Sequence, residues 1–373
     1  MKIIHFILGK ANPDRLNGVN RVVDALTKAQ FELGYDIEIW GITPSPDIAG
    51  PNRPFPCRYF QSHPFWKKLD GKINQALSTL PQKEKVVFHL HGGFIPDMFR
   101  MSNLLQKWKY PYIFTPHGSY NAEALKKSKW RKRIYFKLFD KKVVENAQCL
   151  HLLGQSEKDH IIHLANPAKV VLVPNGYEAE AQATPYPAQK ETLVFGFCGR
   201  LKIYVKGLNE LVDGFAAYSK NSSQPSELWL IGDSEESSKL KARAEKLKIT
   251  DRVKFLGAQY GAEKIKLLSQ MDYFCHPSRY EGFPNAVLEA LGLEIPVLVT
   301  PATNILSTVL DENCGMEITQ TKAKAIQKSM ELAAGKWQTE EYFSMRKNAG
   351  KTVAEQFNWR QIAQRFSKIY AAL

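Results

Sequence analysis

The chain is 373 residues long, with 44% hydrophobic and 24% charged residues. That is too long for one ordinary core and too apolar for a disordered chain, so two globular domains are expected. No apolar run reaches the roughly 20 residues that span a bilayer, and the net charge of +14 favours an anionic partner: phosphate ligands, nucleic acid or an acidic membrane surface.

Lys2 to Leu8 opens the chain as an apolar run broken by His5 and closed by Gly9-Lys10-Ala11-Asn12-Pro13. It is too short for the core of a signal peptide and reads as a buried first strand. Val19, Val22, Val23, Leu26, Ala29 and Leu33 then recur at helical spacing, with Gly34 as the stop. Further strands are predicted at Asp36 to Ile42, Lys85 to His91, Tyr110 to Thr115, Cys149 to Leu153 and Lys169 to Val173. The second half offers Thr192 to Cys198, Glu227 to Ile231, Arg252 to Leu256, Met271 to His276 and Pro296 to Thr300. Continuous Val, Ile, Leu and Phe runs suit parallel strands covered on both faces.

Pro174-Asn175-Gly176 is a turn, and Ala179 to Lys190 has the composition of a linker. The expected domains are therefore 1–175 and 176–351. The closing segment 352–373 carries Val353, Phe357, Ile362, Phe366 and Tyr370 at helical spacing and can pack on either domain, including back across to the first. The expected fold class is α/β: two Rossmann-like, doubly wound domains facing each other across a deep cleft that binds ligand. The five cysteines, Cys57, Cys149, Cys198, Cys275 and Cys314, are scattered and lack a C-x-x-C pair, as expected of reduced thiols in a cytoplasmic protein.

Four motifs carry candidate chemistry. Gly199-Arg200-Leu201 follows a strand, with Lys206-Gly207 close behind. The glycine lets backbone approach a ligand, and the two cations can neutralise a diphosphate. A surface turn with solvated charges would look the same. Pro277-Ser278-Arg279-Tyr280-Glu281-Gly282-Phe283-Pro284-Asn285 leads from a strand into a helix that carries Glu289. Free N–H groups at a helix start bind phosphate, and carboxylates accept from sugar hydroxyls. Two acids beside a phosphate site are nevertheless electrostatically awkward. Thr115-Pro116-His117-Gly118 ends another strand and places His117 where a sugar hydroxyl can reach it, although a structural histidine would fit there too. His91-Gly92-Gly93 ends a further strand and is a candidate lining for an acceptor pocket, as is Asn17 in the loop before Gly18.

Taken together, Gly199-Arg200-Leu201, Lys206-Gly207, Pro277-Ser278, Glu281-Gly282-Phe283-Pro284 and Glu289-Ala290-Leu291 resemble the C-terminal half of the retaining glycosyltransferases of family 4, which have the GT-B fold. Val173-Pro174-Asn175-Gly176 matches the turn between their domains, and Glu289 falls eight positions after Glu281 as in the family. Lys206 comes one residue later than in the commonest pattern, which affects the path of the loop more than its charge. The resemblance implies that Arg200 and Lys206 hold the donor diphosphate, Glu281 the donor sugar and Glu289 the ribose. It also implies that Gly199 and the backbone from Gly282 to Asn285 touch sugar and phosphate, that the base lies near Gly257 and Ala258, and that His117 contacts the donor sugar. Asn17-Gly18-Val19 stands where the family commonly has Gly-Gly-Val, with backbone approach kept at Gly18.

No two aspartates are separated by one residue, so a D-x-D metal site is missing and no metal or other cofactor is expected. The UDP-sugar is a co-substrate, and the acceptor a saccharide or lipid-linked saccharide. Residues 125–142 place Trp130, Ile134 and Leu138 every fourth residue among Lys126, Lys127, Lys129, Arg131, Lys132, Arg133, Lys137, Lys141 and Lys142. Such a helix can lie on the anionic inner face of a plasma membrane, or turn its apolar stripe into the core with solvated lysines outside. No nucleic-acid motif is present. The leading expectation is transfer of a hexose, glucose from UDP-glucose, in polysaccharide or cell-envelope assembly. The alternatives are a nucleotide-sugar epimerase of related fold and a non-catalytic basic membrane-binding protein.

Overall fold

A computed structural model describes residues 1–13, 18–64, 68–81, 85–121, 125, 129–178 and 190–373. It divides into two compact units, Met1–Gly176 with Trp359–Leu373, and Tyr177–Asn358. Asn17, Lys126, Lys127 and the linker composition of 179–189 lie outside the described residues.

The first unit is built on seven parallel strands in the order β3-β2-β1-β4-β5-β6-β7. These are β1 (Lys2–Leu8), β2 (Asp36–Thr43), β3 (Cys57–Gln61), β4 (Val86–His91), β5 (Tyr112–Thr115), β6 (Cys149–Leu152) and β7 (Val170–Leu172). Both faces of the sheet are covered. Phe6, Trp40, Phe88, Leu90, Tyr112 and Phe114 fill one layer. Ile3, Ile7, Ile37, Val87, Ile113 and Cys149 fill the other, under the helices Gly18–Glu32 and Trp359–Tyr370. This two-sided burial is why the strands carry apolar residues on both faces, with β1 and β4 interrupted only by buried histidines.

The second unit has six parallel strands in the order β10-β9-β8-β11-β12-β13: β8 (Leu193–Cys198), β9 (Ser226–Ile231), β10 (Val253–Gly257), β11 (Tyr273–His276), β12 (Val297–Val299) and β13 (Gly315–Glu317). Each sheet reverses its winding once, between β1 and β4 in the first and between β8 and β11 in the second. The carboxyl ends of strands at such a switch point open a crevice for ligands.

Two strands have no counterpart in the sequence reading, β3 and β13. Both lie at sheet edges, and β3 is only partly buried along its length. The closing segment also divides differently from 352–373. Val353 and Phe357 are buried in the second unit's core, Tyr177 bridges Asn358 with its N–H donating to the Phe357 carbonyl at 2.6 Å, and the crossing back begins at Trp359. From that point Ile362, Ala363, Phe366 and Tyr370 pack with Val23, Leu26 and Ala29 of the first unit. All five cysteines are free thiols, and four of them are buried.

Candidate functional site

In the second unit the site is assembled at the β8/β11 switch. The chain leaves β8 through Gly199 and forms a single helical turn, Ile203–Lys206, closed by Gly207 in the left-handed conformation (φ 64°). A side chain at 207 would strike the Pro277 carbonyl oxygen at 2.4 Å, so glycine is what allows this turn to lie against the loop after β11. Arg279 fastens the same contact. Its backbone N–H donates to the Val205 carbonyl at 2.9 Å, its guanidinium donates to Glu210 at 2.6 Å, and it stacks 4.5 Å from the centre of the Tyr204 ring.

The result is that Lys206 reaches Glu281, and the two form an ion pair. His276, the last residue of β11, meets the same oxygen, Glu281 Oε1, at 2.9 Å, and the Ser278 hydroxyl donates to it at 2.8 Å. Burial alone would raise the Glu281 carboxyl, but Lys206 and His276 outweigh it and hold the group down at about 2. His276 is itself shifted down by burial and lies parallel to the rings of Phe197 and Phe274. The backbone beyond is held from β12's side: Asn304 Nδ2 donates to the carbonyls of Glu281 and Gly282 at 3.0 and 3.1 Å.

Glu289 stands apart from this cluster, one turn into the helix Asn285–Gly292, and pairs with Lys264 at 3.0 Å. Each acid therefore has its own lysine, which removes the electrostatic objection raised by the sequence. Arg200 is exposed and forms no ion pair among the described residues, and the carboxylate whose titration it lowers is that of Glu235. The helix start offers fewer free donors than expected. The Asn285 N–H bonds the Phe283 carbonyl at 3.2 Å and that of Val287 the Pro284 carbonyl at 2.9 Å. Pro284 is buried, and Phe283 packs its ring against Phe357. Gly257 (φ 67°) ends β10, and with Ala258 it is exposed.

In the first unit the β4 and β5 ends bring His91 and His117 together, Nδ1 to Nε2, at 3.0 Å. Gly92 follows His91 with φ 109° and donates its N–H to the Thr115 carbonyl at 2.8 Å. His117 takes φ 54°, a conformation costly for a residue with a Cβ. The turn is held by buried Glu157, whose carboxylate accepts from the N–H groups of Gly118 at 3.2 Å and Tyr120 at 3.1 Å. Burial pushes that carboxyl up to about 7 despite these bonds. Gly18 is exposed at the start of its helix, with open space where a side chain would stand. Sequence reasoning did not assign roles to His276, Lys264 or Glu157. A histidine closing an apolar strand directly before Pro277-Ser278 was the available signal for the first.

The basic segment settles with its stripe outward. Trp130, Ile134 and Leu138 are 64%, 51% and 55% exposed, while Phe136, Val143 and Val144 on the other side are buried. Arg131, Arg133, Lys137 and Lys142 are exposed beside the stripe. Of the two arrangements open from the sequence, the one with the apolar stripe packed into the core is excluded.

Two family models match the chain: glycosyltransferase family 4 over residues 16–181 and glycosyl transferases group 1 over residues 179–352. Among curated proteins it is 27% identical over 141 residues to the capsular polysaccharide biosynthesis glycosyltransferase CapM of Staphylococcus aureus, covering 38% of this chain and 36% of that one. The chain spans 36% to 46% of the length of the first curated relatives it matches. Among solved structures, the sucrose-phosphate synthase of Thermosynechococcus elongatus superposes with a TM-score of 0.79 at 17% identity, covering 100% of this chain and 99% of that one. HepE of Anabaena, solved with UDP-glucose, superposes at 0.72 and 17% identity over 100% of both chains. These likenesses are of fold, which is GT-B with two Rossmann-like domains. The two family matches together run from residue 16 to residue 352, and the chain belongs to the group 1, family 4 glycosyltransferases.

Proposed function

We propose that this chain is a retaining glycosyltransferase that moves glucose from UDP-glucose to a saccharide or lipid-linked saccharide. The observation that carries the reading is the convergence of Lys206, His276 and Ser278 on Glu281 Oε1 at the β8/β11 switch. Glu281 Oε2 is left to accept from donor-sugar hydroxyls. Lys206 is shared with the diphosphate, and exposed Arg200 supplies a further positive charge for the leaving group. Glu289 holds the ribose, while Gly257 and Ala258 lie at the base. UDP-glucose is favoured as donor by the complex of the structurally similar HepE, and a saccharide acceptor by the capsular role of the similar CapM.

The charge balance gives the cradle its own countercharge, so the reaction runs without a metal. Purified protein should release UDP from UDP-glucose at an unchanged rate in excess EDTA; a strict need for a divalent cation would refute the charge argument. An epimerase would convert the sugar without freeing UDP.

The exposed Trp130, Ile134 and Leu138 stripe, rimmed by cations, is the part we assign to an anionic membrane surface on the inner face of the plasma membrane. That places lipid-linked acceptors within reach.

A further inference from the structure

Beneath the β1/β4 switch of the first unit lies a layer of polar side chains in an otherwise apolar core. Strand residues alternate between faces, so His5 falls on the face of Ile3 and Ile7, and His89 and His91 on that of Val87. His5 and His89 are register partners across β1 and β4, and His91 and Thr115 across β4 and β5. His151 of β6, Gln30 and Tyr370 complete the layer. The four strand histidines are buried, and only His117, at the end, is half-buried.

The contacts form one unbroken chain, and its direction is determined from one end. Val173 offers only a carbonyl oxygen, so His151 must donate to it from Nε2, at 2.8 Å. A neutral His151 then has a bare Nδ1, which accepts from the Thr115 hydroxyl at 2.8 Å. That uses the hydroxyl's single proton, so Thr115 accepts from His89 Nε2 at 2.7 Å. His89 Nδ1 is bare in turn and accepts from the Tyr370 hydroxyl at 2.7 Å. Tyr370 therefore accepts from Gln30 Nε2 at 3.1 Å, which turns the amide oxygen toward His5. His5 Nε2 donates to that oxygen at 2.8 Å, His91 Nε2 donates to His5 Nδ1 at 2.9 Å, and His117 Nε2 donates to His91 Nδ1 at 3.0 Å. Reversing any link would require a doubly protonated, charged imidazole in the core.

We propose that this one-way chain from the Val173 carbonyl through His151, Thr115, His89, Tyr370, Gln30, His5 and His91 fixes His117 as its Nε2–H tautomer, so that His117 meets a ligand hydroxyl with Nδ1 as an acceptor. The chain ends on a carbonyl, which has no proton to give, so it sets polarity and does not shuttle protons. Its members are positioning residues for His117. The ligand part rests on the transferase reading; the tautomer part does not. His5, His89 and His91 also lie close enough to share a metal ion, but all six of their ring nitrogens are already hydrogen-bonded.

Nitrogen-15 NMR of the full chain, labelled at histidine, reads the proton on each ring nitrogen without any substrate. The expected spectrum at pH 7.5 has all five rings neutral, with Nε2 protonated and Nδ1 bare, and unchanged by added zinc. A proton on Nδ1 of any of the five, a cationic ring, or zinc-shifted resonances of His5, His89 and His91 would overturn the proposal. Tyr370→Phe, which does not touch His117, should release the polarity and give His117 a mixture of tautomers, with kcat/KM for transfer about tenfold lower. Thr115→Val cuts the chain at another link and should do the same; an unchanged His117 in either folded variant contradicts control from a distance. If the protein transfers no sugar at all, the transferase reading fails while the tautomer result stands or falls by itself.

Discussion

Glu281 accepts three donors on one carboxylate oxygen, and each comes from a different local device. Gly207 brings in Lys206, the end of β11 supplies His276, and the turn after it supplies Ser278. The second oxygen is thereby aimed with little freedom to reorient, which is the preorganisation a transition state rewards. Lys206→Met should lower kcat/KM by about 10²–10³ and cost roughly 1–3 kcal/mol of stability, because a buried carboxylate loses its main partner. Kinetics together with a urea titration check both; full activity in the variant would remove Lys206 from the site. The sequence pairs Lys206 with Glu281 only through the family pattern. The physical pairing needs strand order, since the two residues are far apart in the chain and meet because β8 and β11 are neighbours. For the same reason Lys264, which answers the puzzle of the second acid, was invisible beforehand.

At the scale of elements, the polar layer of the first sheet makes that unit sensitive to acid. Burial lowers His5 and His151 to about 4 and His117 to about 3, and pushes His89 and His91 down as well. Histidines that are harder to protonate when folded contribute stability above their ordinary value near 6.5, and that stability is lost as pH falls below it. Glu157, raised to about 7, and Asp140, raised to about 6, act in the opposite sense, but the histidines outnumber them. Unfolding near pH 5.5 should take up about three protons from these groups, about 4 kcal/mol per pH unit. The first unit's melting midpoint should then fall by about 10 °C between pH 6.5 and 5.5, and a midpoint flat over that range would contradict the buried neutral histidines. The basic helix makes a second element-scale prediction. Replacing Trp130, Ile134 and Leu138 with Gln should abolish sedimentation with vesicles containing anionic lipid and leave turnover of soluble acceptors intact; undiminished sedimentation would return the stripe to an ordinary surface. Nine of the thirteen strands lie inside the two sheets, largely buried on both faces, so an apolar run announces them. Of the four partly exposed edge strands, β7 and β10 still show Val170-Val171-Leu172 and Val253, Phe255 and Leu256, whereas β3 and β13 offer no comparable apolar run.

Across the whole molecule, two sheets of the same winding each carry their candidate residues at the switch point: His91 and His117 in one unit, Lys206 and Glu281 in the other. The class of fold was readable from alternating apolar strands and helical periods. The place where the chain returns to the first unit was not, because helical spacing runs on through 352–373 and only packing separates Phe357 from Trp359. The central claim is that the Lys206–Glu281 cradle holds a nucleotide diphosphate sugar. Thermal denaturation of the full chain with UDP-, GDP- and ADP-sugars, wild type beside Lys206→Met, tests it most directly. The account predicts that UDP-glucose stabilises the wild type by about 2.7 kcal/mol at a hundred times its Kd, that the other nucleotides do so less, and that the variant loses the shift. No stabilisation by any nucleotide sugar, or an equal shift in Lys206→Met, would contradict it.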